Sequence, residues 1–163
     1  MNYFLTFRTY GTWLHGDERG SVDSHHNQYG APLLATSATR EKDAKRIMKF
    51  PALLLDEMQQ IKAEQTISEV AKFRNWHLHA AVVKSNHIHI VISVPEDVPP
   101  ERAMNDFKTR ITYRLREANL IEPSRKIWER HGSTKHLFTE TELSAACDYV
   151  LNRQNETKRE PRA

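Results

Sequence analysis

A single cysteine, Cys147, stands among 163 residues. One thiol cannot close an internal disulfide, and its scarcity suits a reducing compartment. No apolar run approaches the roughly 20 residues that span a bilayer. The start, Met1 to Arg8, lacks the charged-then-apolar shape of a signal peptide. No internal repeat or low-complexity block interrupts the chain. These absences exclude a disulfide scaffold, a transmembrane helix and a repeat array. They leave one expected domain over residues 1–163, long enough to bury a core without staples.

Net charge is also small, at +3, but it is unevenly placed. Residues 101–135 hold nine Lys/Arg against five Asp/Glu, a net of +4. A local basic surface favours a polyanion such as nucleic acid. A solvated helix face explains the same charges equally well. The candidate phosphate contacts are Lys108, Arg110, Arg114, Arg116, Lys126 and Arg130.

The most informative segment is Asn86-His87-Ile88-His89-Ile90-Val91-Ile92. Its alternation predicts a strand with one buried face. Ile88, Ile90, Ile92 and Val94 point one way; His87, His89, Val91 and Ser93 point the other. Side chains two apart share a face at about 7 Å, so two imidazoles can close on one metal ion. Surface or hydrogen-bonded histidines are the bland alternative. The preceding segment, Trp76 to Val83, alternates as well. Lys84-Ser85-Asn86 is short enough to make a hairpin of the two. Pairing Val83 with His87 sets Ala81 opposite His89, with Trp76, Leu78, Ala80 and Val82 on the apolar face. His77 and His79 would then join the same open face, most simply as polar strand residues.

Around this hairpin the element order reads β-α-β-β-α-β-α. Asn2–Thr9 is β-rich. Residues 11–36 carry no periodicity and read as a long loop. Helical character runs from Ser37 to about Arg74, interrupted at Pro51, with Leu54, Met58, Ile61 and the stretch Ala63 to Ile67 in its stripe. Pro99-Pro100 opens a second helix, striped by Met104, Phe107, Ile111 and Leu115. A short strand is expected at Lys135–Phe138. Thr139 and Glu142 then form a capping box, with Phe138 and Leu143 placed for a hydrophobic staple. Leu143, Ala146, Cys147, Val150 and Leu151 stripe the last helix. A polar tail follows from about residue 155. One antiparallel sheet with helices on one face fits this order, an α+β, ferredoxin-like fold.

On a helical wheel Tyr149 falls about 130° from the middle of that last stripe. It reads either as a surface tyrosine or as a phenol presented to the open sheet face. A phenol holds its proton at neutral pH, so an attack on phosphate needs a metal ion polarising the electrophile. Tyr113 competes, since it also lies opposite its helix's stripe. Tyr3, Tyr10 and Tyr29 are weaker candidates. Trp13 and Tyr10 could stack on unpaired bases, or Trp13 could anchor the loop.

These residues carry a resemblance. Lys84 to Ile92 resembles the HUH motif, two histidines flanking a hydrophobic residue, of the small single-tyrosine transposases. Asp148-Tyr149-Val150 resembles the nucleophile motif of the REP-associated tyrosine transposases within that IS200-like group. Phe4 to Trp13 and Trp128 to Thr134 also resemble family segments, in order along most of the chain. The resemblance implies a ferredoxin-like (RRM-like) core that binds imperfect DNA hairpins and cleaves an adjacent single strand with Mg²⁺ or Mn²⁺. It implies a 5′-phosphotyrosine link and a free 3′-OH, with a second strand end joined afterwards. By position, His87 and His89 become metal ligands and Tyr149 the nucleophile. Such an enzyme works in the bacterial cytoplasm, at the nucleoid when DNA-bound, as a monomer or homodimer.

One position departs from the pattern. Relatives place Gln or Asn one turn after the tyrosine as a third ligand, and here Arg153 occupies it, with no lone pair to offer. Gln154 is the preferred substitute, if the helix loosens near its end, and Asn152 the other. Arg153 is read instead as a holder of the scissile phosphate. Three other functions remain in view: a domesticated DNA-binding module without cleavage, a phosphoesterase using water, and an RRM-like RNA binder. The last is disfavoured because RRM modules display aromatics where this sheet displays histidines.

Overall fold

The computed structural model of the chain describes residues 1–12 and 50–153. Most of the expected early loop with Trp13 and Tyr29, residues 37–49 of the expected helical stretch, Gln154 and the polar tail lie outside the described residues. Among the described residues four strands form one antiparallel sheet in the order β2-β3-β1-β4. They are β1 (Asn2–Thr9), β2 (His77–Val83), β3 (His87–Ser93) and β4 (Trp128–Leu137). The helices are α1 (Glu57–Arg74), α2 (Pro100–Glu117) and α3 (Glu140–Asp148), the last running into a π-helical turn at Tyr149–Arg153. Among the described residues no helix is long and apolar enough to cross a membrane.

The order is the expected ferredoxin-like one, and it rests on alternation in β1. Tyr3, Leu5, Phe7 and Thr9 are buried. The first three enter the main core with Ile88, Ile90 and Ile92 of β3, Ala63 and Ile67 of α1, and Phe107, Ile111 and Leu115 of α2. The α2 stripe is buried as expected, with Pro100 in its first turn. On the opposite face Ala80, Val91, Leu137, Ala146 and Val150 make a smaller cluster, where α3 packs on the sheet.

Four local expectations are corrected. In the first helix the expected stripe holds at Ala63 and Ile67, which α1 buries with Thr66, Val70 and Ala71, but Leu54, Met58 and Ile61 are exposed. The helix starts at Glu57, after an Asp56/Gln59 capping box. At 100° per residue Met58 and Ile61 lie about 140° and 160° from Ala63. Second, Val83 pairs with Ile88 and Val82 with His89, and the register shifts between Leu78 and Ala80. This bulge at His79 sends Trp76 and Leu78 to the main core but Ala80 and Val82 to the opposite face. Third, β4 is a ten-residue edge strand rather than a short one at 135–138. Fourth, Phe138 does not close a staple. It is 76% exposed and stacks on His136, centroids 5.6 Å apart and planes 8° apart. The Thr139/Glu142 capping box does form.

Candidate functional site

The face of the sheet away from α1 and α2 collects the candidate residues. Alternation leaves Phe4, Thr6 and Arg8 of β1 on it. The register sets Arg8 against His87, Thr6 against His89 and Phe4 against Val91. The His87 and His89 rings are 4.8 Å apart at 70°. Nδ1 of His87 lies 2.7 Å from Asn86 Oδ1, and Nδ1 of His89 lies 2.7 Å from Thr6 Oγ1. His89 is only 8% exposed. Burial, then the charges of His87, Arg8 and Lys84, hold its imidazole down to about 3. It is therefore neutral at working pH, the state in which imidazole binds a metal.

Tyr149 comes to the same place from the other end of the chain. Its ring is 5.8 Å from that of His89 and 6.0 Å from that of Phe4, and Phe4 also touches His89 at 5.3 Å. Val150, buried beside Ala146, seats this end of the helix on the sheet, while Tyr149 stays 38% exposed. The turn has π geometry from Tyr149 through Arg153. π turns are rare and concentrate at functional sites. The Asn152 amide donates to Asp148 Oδ1 at 3.0 Å, which ties it back along the helix. The Arg153 side chain, like Gln154, lies outside the described residues.

Other candidates are held elsewhere. Tyr113 projects from α2, on the far side of the sheet, with Arg110 4.9 Å over its ring. Tyr3 is buried and donates to Val98 O. Tyr10 is buried with Lys126 and Arg125 over its ring, so it offers no open face for a base. His77 and His79 form a second pair, rings 4.4 Å apart, near Ser93. Ser93 is four residues from His89, about 13 Å along the strand. The expected group of four histidines is therefore two separate pairs.

The basic residues divide in the same way. Arg110, Arg114 and Arg116 belong to α2, across the sheet from the histidines. Arg114 pairs with Glu69 at 3.1 Å and Glu117 at 2.9 Å. Lys108 is 7% exposed, its Nζ donating to Glu129 O at 3.0 Å and lying 5.7 Å from the Phe7 ring centroid. It is an interior amine and not a surface phosphate contact. Lys126 and Arg130 are exposed near the start of β4. Sequence reasoning missed Thr6, Arg8 and Lys135, which pairs with Phe4 and so shares the histidine face. The signal was available in β1, whose polar positions alternate with its core positions.

Two imidazoles, one of them neutral in a desolvated site, fit a divalent cation. Among the described residues no group of three or more His, Cys, Asp or Glu could hold one. Remaining ligands would have to come from elsewhere, DNA oxygens and water included.

Residues 48–152 match the family described as IS200-like transposase. No curated protein matches the chain. Solved structures share the fold, among them two transposases. One is a REP-associated tyrosine transposase bound to a REP hairpin, at TM-score 0.51 and 14% identity, covering 96% of this chain and 67% of that one. The other is a candidate transposase from Deinococcus radiodurans R1, at TM-score 0.51 and 12% identity, covering 99% of this chain and 92% of that one.

Proposed function

The chain belongs to the IS200-like transposase family, and on that premise we propose that it is a single-strand DNA endonuclease and strand transferase acting through Tyr149. The observation that carries this reading is the meeting of Tyr149 with His89 and His87 on one sheet face, from segments about 60 residues apart. His87 and His89 would hold a divalent ion, Mg²⁺ or Mn²⁺. Bound there, the ion would polarise the scissile phosphate and offset the charge developing on it.

The remaining work falls to the chain's own groups. Tyr149 Oη attacks phosphorus and its proton leaves to solvent. The bond from phosphorus to the 3′ oxygen breaks and that oxygen takes a proton from solvent, giving a 5′-phosphotyrosine and a free 3′-OH. Attack by a second 3′-OH reverses the step and joins a new strand. Phe4 packs against both His89 and Tyr149, which limits where the phenol can sit. Arg8 and Lys135, on the same face, would guide the single strand to it, with Lys126 and Arg130 at the adjoining end of β4.

The REP-hairpin complex of the structural relative supports a hairpin-bearing strand as the substrate class. The test is incubation with Mn²⁺ and a pool of hairpin-bearing single strands, then sequencing of covalently captured DNA. Capture of DNA flanking one hairpin type is the expected result. Binding without any adduct would mark a DNA-binding member that does not cleave. Cleavage without an adduct would mark hydrolysis by water.

A further inference from the structure

We propose that Thr6 and Asn86 are the positioning residues of the histidine pair, turning each Nδ1 toward the protein so that Nε2 is the metal-facing nitrogen. The inference rests on the reading of His87 and His89 as ligands. Asn86 Oδ1 can only accept, so His87 Nδ1 carries the proton in the 2.7 Å bond, and the ring's lone pair falls on Nε2. His89 Nδ1 is engaged by Thr6 Oγ1 at 2.7 Å. With Thr6 Oγ1 accepting from Nδ1–H, the lone pair of this ring too falls on Nε2, which becomes its ligating atom. Polar partners of this kind set ring orientation and basicity at metal sites.

Both supports trace to β1. Thr6 is a β1 residue paired directly with His89. Asn86 is fixed through its backbone, because its carbonyl accepts from Thr9 N at 3.1 Å and from the hydroxyls of Thr9 and Thr12 at 3.3 Å. Lys84 N donates to His87 O at 2.9 Å and closes the hairpin turn. The first strand thus orients ligands that lie some 80 residues later in the chain. A role in fold stability alone would leave metal affinity untouched.

The test measures Mn²⁺ affinity without DNA, by electron paramagnetic resonance, in wild type and four variants. Thr6→Val and Asn86→Ala should each weaken Mn²⁺ binding by about 10- to 100-fold. Thr6→Ser keeps the hydroxyl and Asn86→Asp keeps an acceptor, so both should stay within a few-fold of wild type. Thermal melts identify any variant that fails to fold, and the conservative pair keeps the test open in that case. Wild-type affinity in Thr6→Val and Asn86→Ala, or equal losses in the conservative pair, would overturn the proposal. His87→Ala with His89→Ala separates the two ideas. If that double variant binds Mn²⁺ as wild type does, the ligand reading itself fails.

Discussion

Tyr149 and His89 face each other edge-on across 5.8 Å, although one belongs to the last helix and the other to a central strand. A nucleophile has to come within about 3–3.5 Å of the reacting atom in a fixed orientation. The capping box at Thr139 and the burial of Val150 hold the Tyr149 backbone to that end. Tyr149→Phe is therefore expected to keep hairpin binding within a few-fold and to abolish the covalent protein–DNA adduct. Tyr113→Phe should still form it. An adduct band that survives in Tyr149→Phe and vanishes in Tyr113→Phe would reverse the assignment.

The histidine pair makes a separate prediction. Imidazole suits Mn²⁺ better than Mg²⁺, which prefers oxygen. Calorimetric titration should show tighter Mn²⁺ binding, abolished in His87→Ala and in His89→Ala. Cleavage should disappear with it while the far-ultraviolet circular dichroism stays native. Full cleavage by either variant rules the site out.

The parts legible beforehand are those where one periodicity acts alone. Asn2–Thr9 alternates cleanly and pairs on both edges, so its bounds were readable. The same holds for the α2 stripe and for the capping box of α3. The His79 bulge was not legible, because an alternating run carries no mark of an inserted residue. It matters, since it moves Ala80 and Val82 to the face of His89. Strand β4 was hidden by its edge position, where charged and small residues replace the apolar pattern. The α1 stripe was legible only in its later part, Ala63 to Ile67, because Met58 and Ile61 are apolar but face solvent. At the site, the His-x-His spacing was visible, but Thr6 and Arg8 required the pairing of β1 with β3.

Charge alone could not tell a phosphate contact from an ion pair, and the structure separates them. Arg114 is committed to Glu69 and Glu117. Arg114→Ala should cost about 0.2–1 kcal/mol of stability and leave the salt dependence of DNA binding unchanged. Lys135→Ala and Arg130→Ala should instead lower that slope, each by roughly 0.7–0.9 log units per log unit of salt, the share of one neutralised phosphate. Fluorescence anisotropy across a salt series reads both. An unchanged slope in Lys135→Ala would remove that residue from the DNA path.

Gly132 lies opposite Phe7 on β4. A Cβ there would stand 2.5 Å from the Thr6 carbonyl oxygen and 2.6 Å from Met104 Sδ. The methionine tip can move, but the backbone oxygen of β1 cannot without disturbing the sheet. Gly132→Ala is expected to destabilise by about 1–3 kcal/mol, seen as a lower urea midpoint. Because Thr6 is displaced, Mn²⁺ affinity should fall as well. A variant with wild-type stability would show that β4 gives way at no cost.

Lys108 supplies a pH test that is independent of the DNA chemistry. Burial pushes its amine down to about 8 from the ordinary 10.5, although Glu129 pulls the other way. Between those two values the unfolded chain still binds a proton that the folded chain has released. Stability should therefore rise with pH across that window. Below about 8 both states are charged and the folded one bears the cost of an interior ammonium; above 10.5 neither is. Lys108→Met removes the titrating group and roughly keeps its length. Wild type should gain on the order of 1–2 kcal/mol relative to Lys108→Met between about pH 7.5 and 10.5, after allowance for solvent screening. Chemical denaturation at several pH values measures that difference directly. The same variant should bind a hairpin strand with an unchanged salt slope, because an amine spent on Glu129 O and placed by Phe7 does not reach a phosphate. Parallel pH curves would deny the buried charge, and a slope lowered by about one would return Lys108 to the DNA surface.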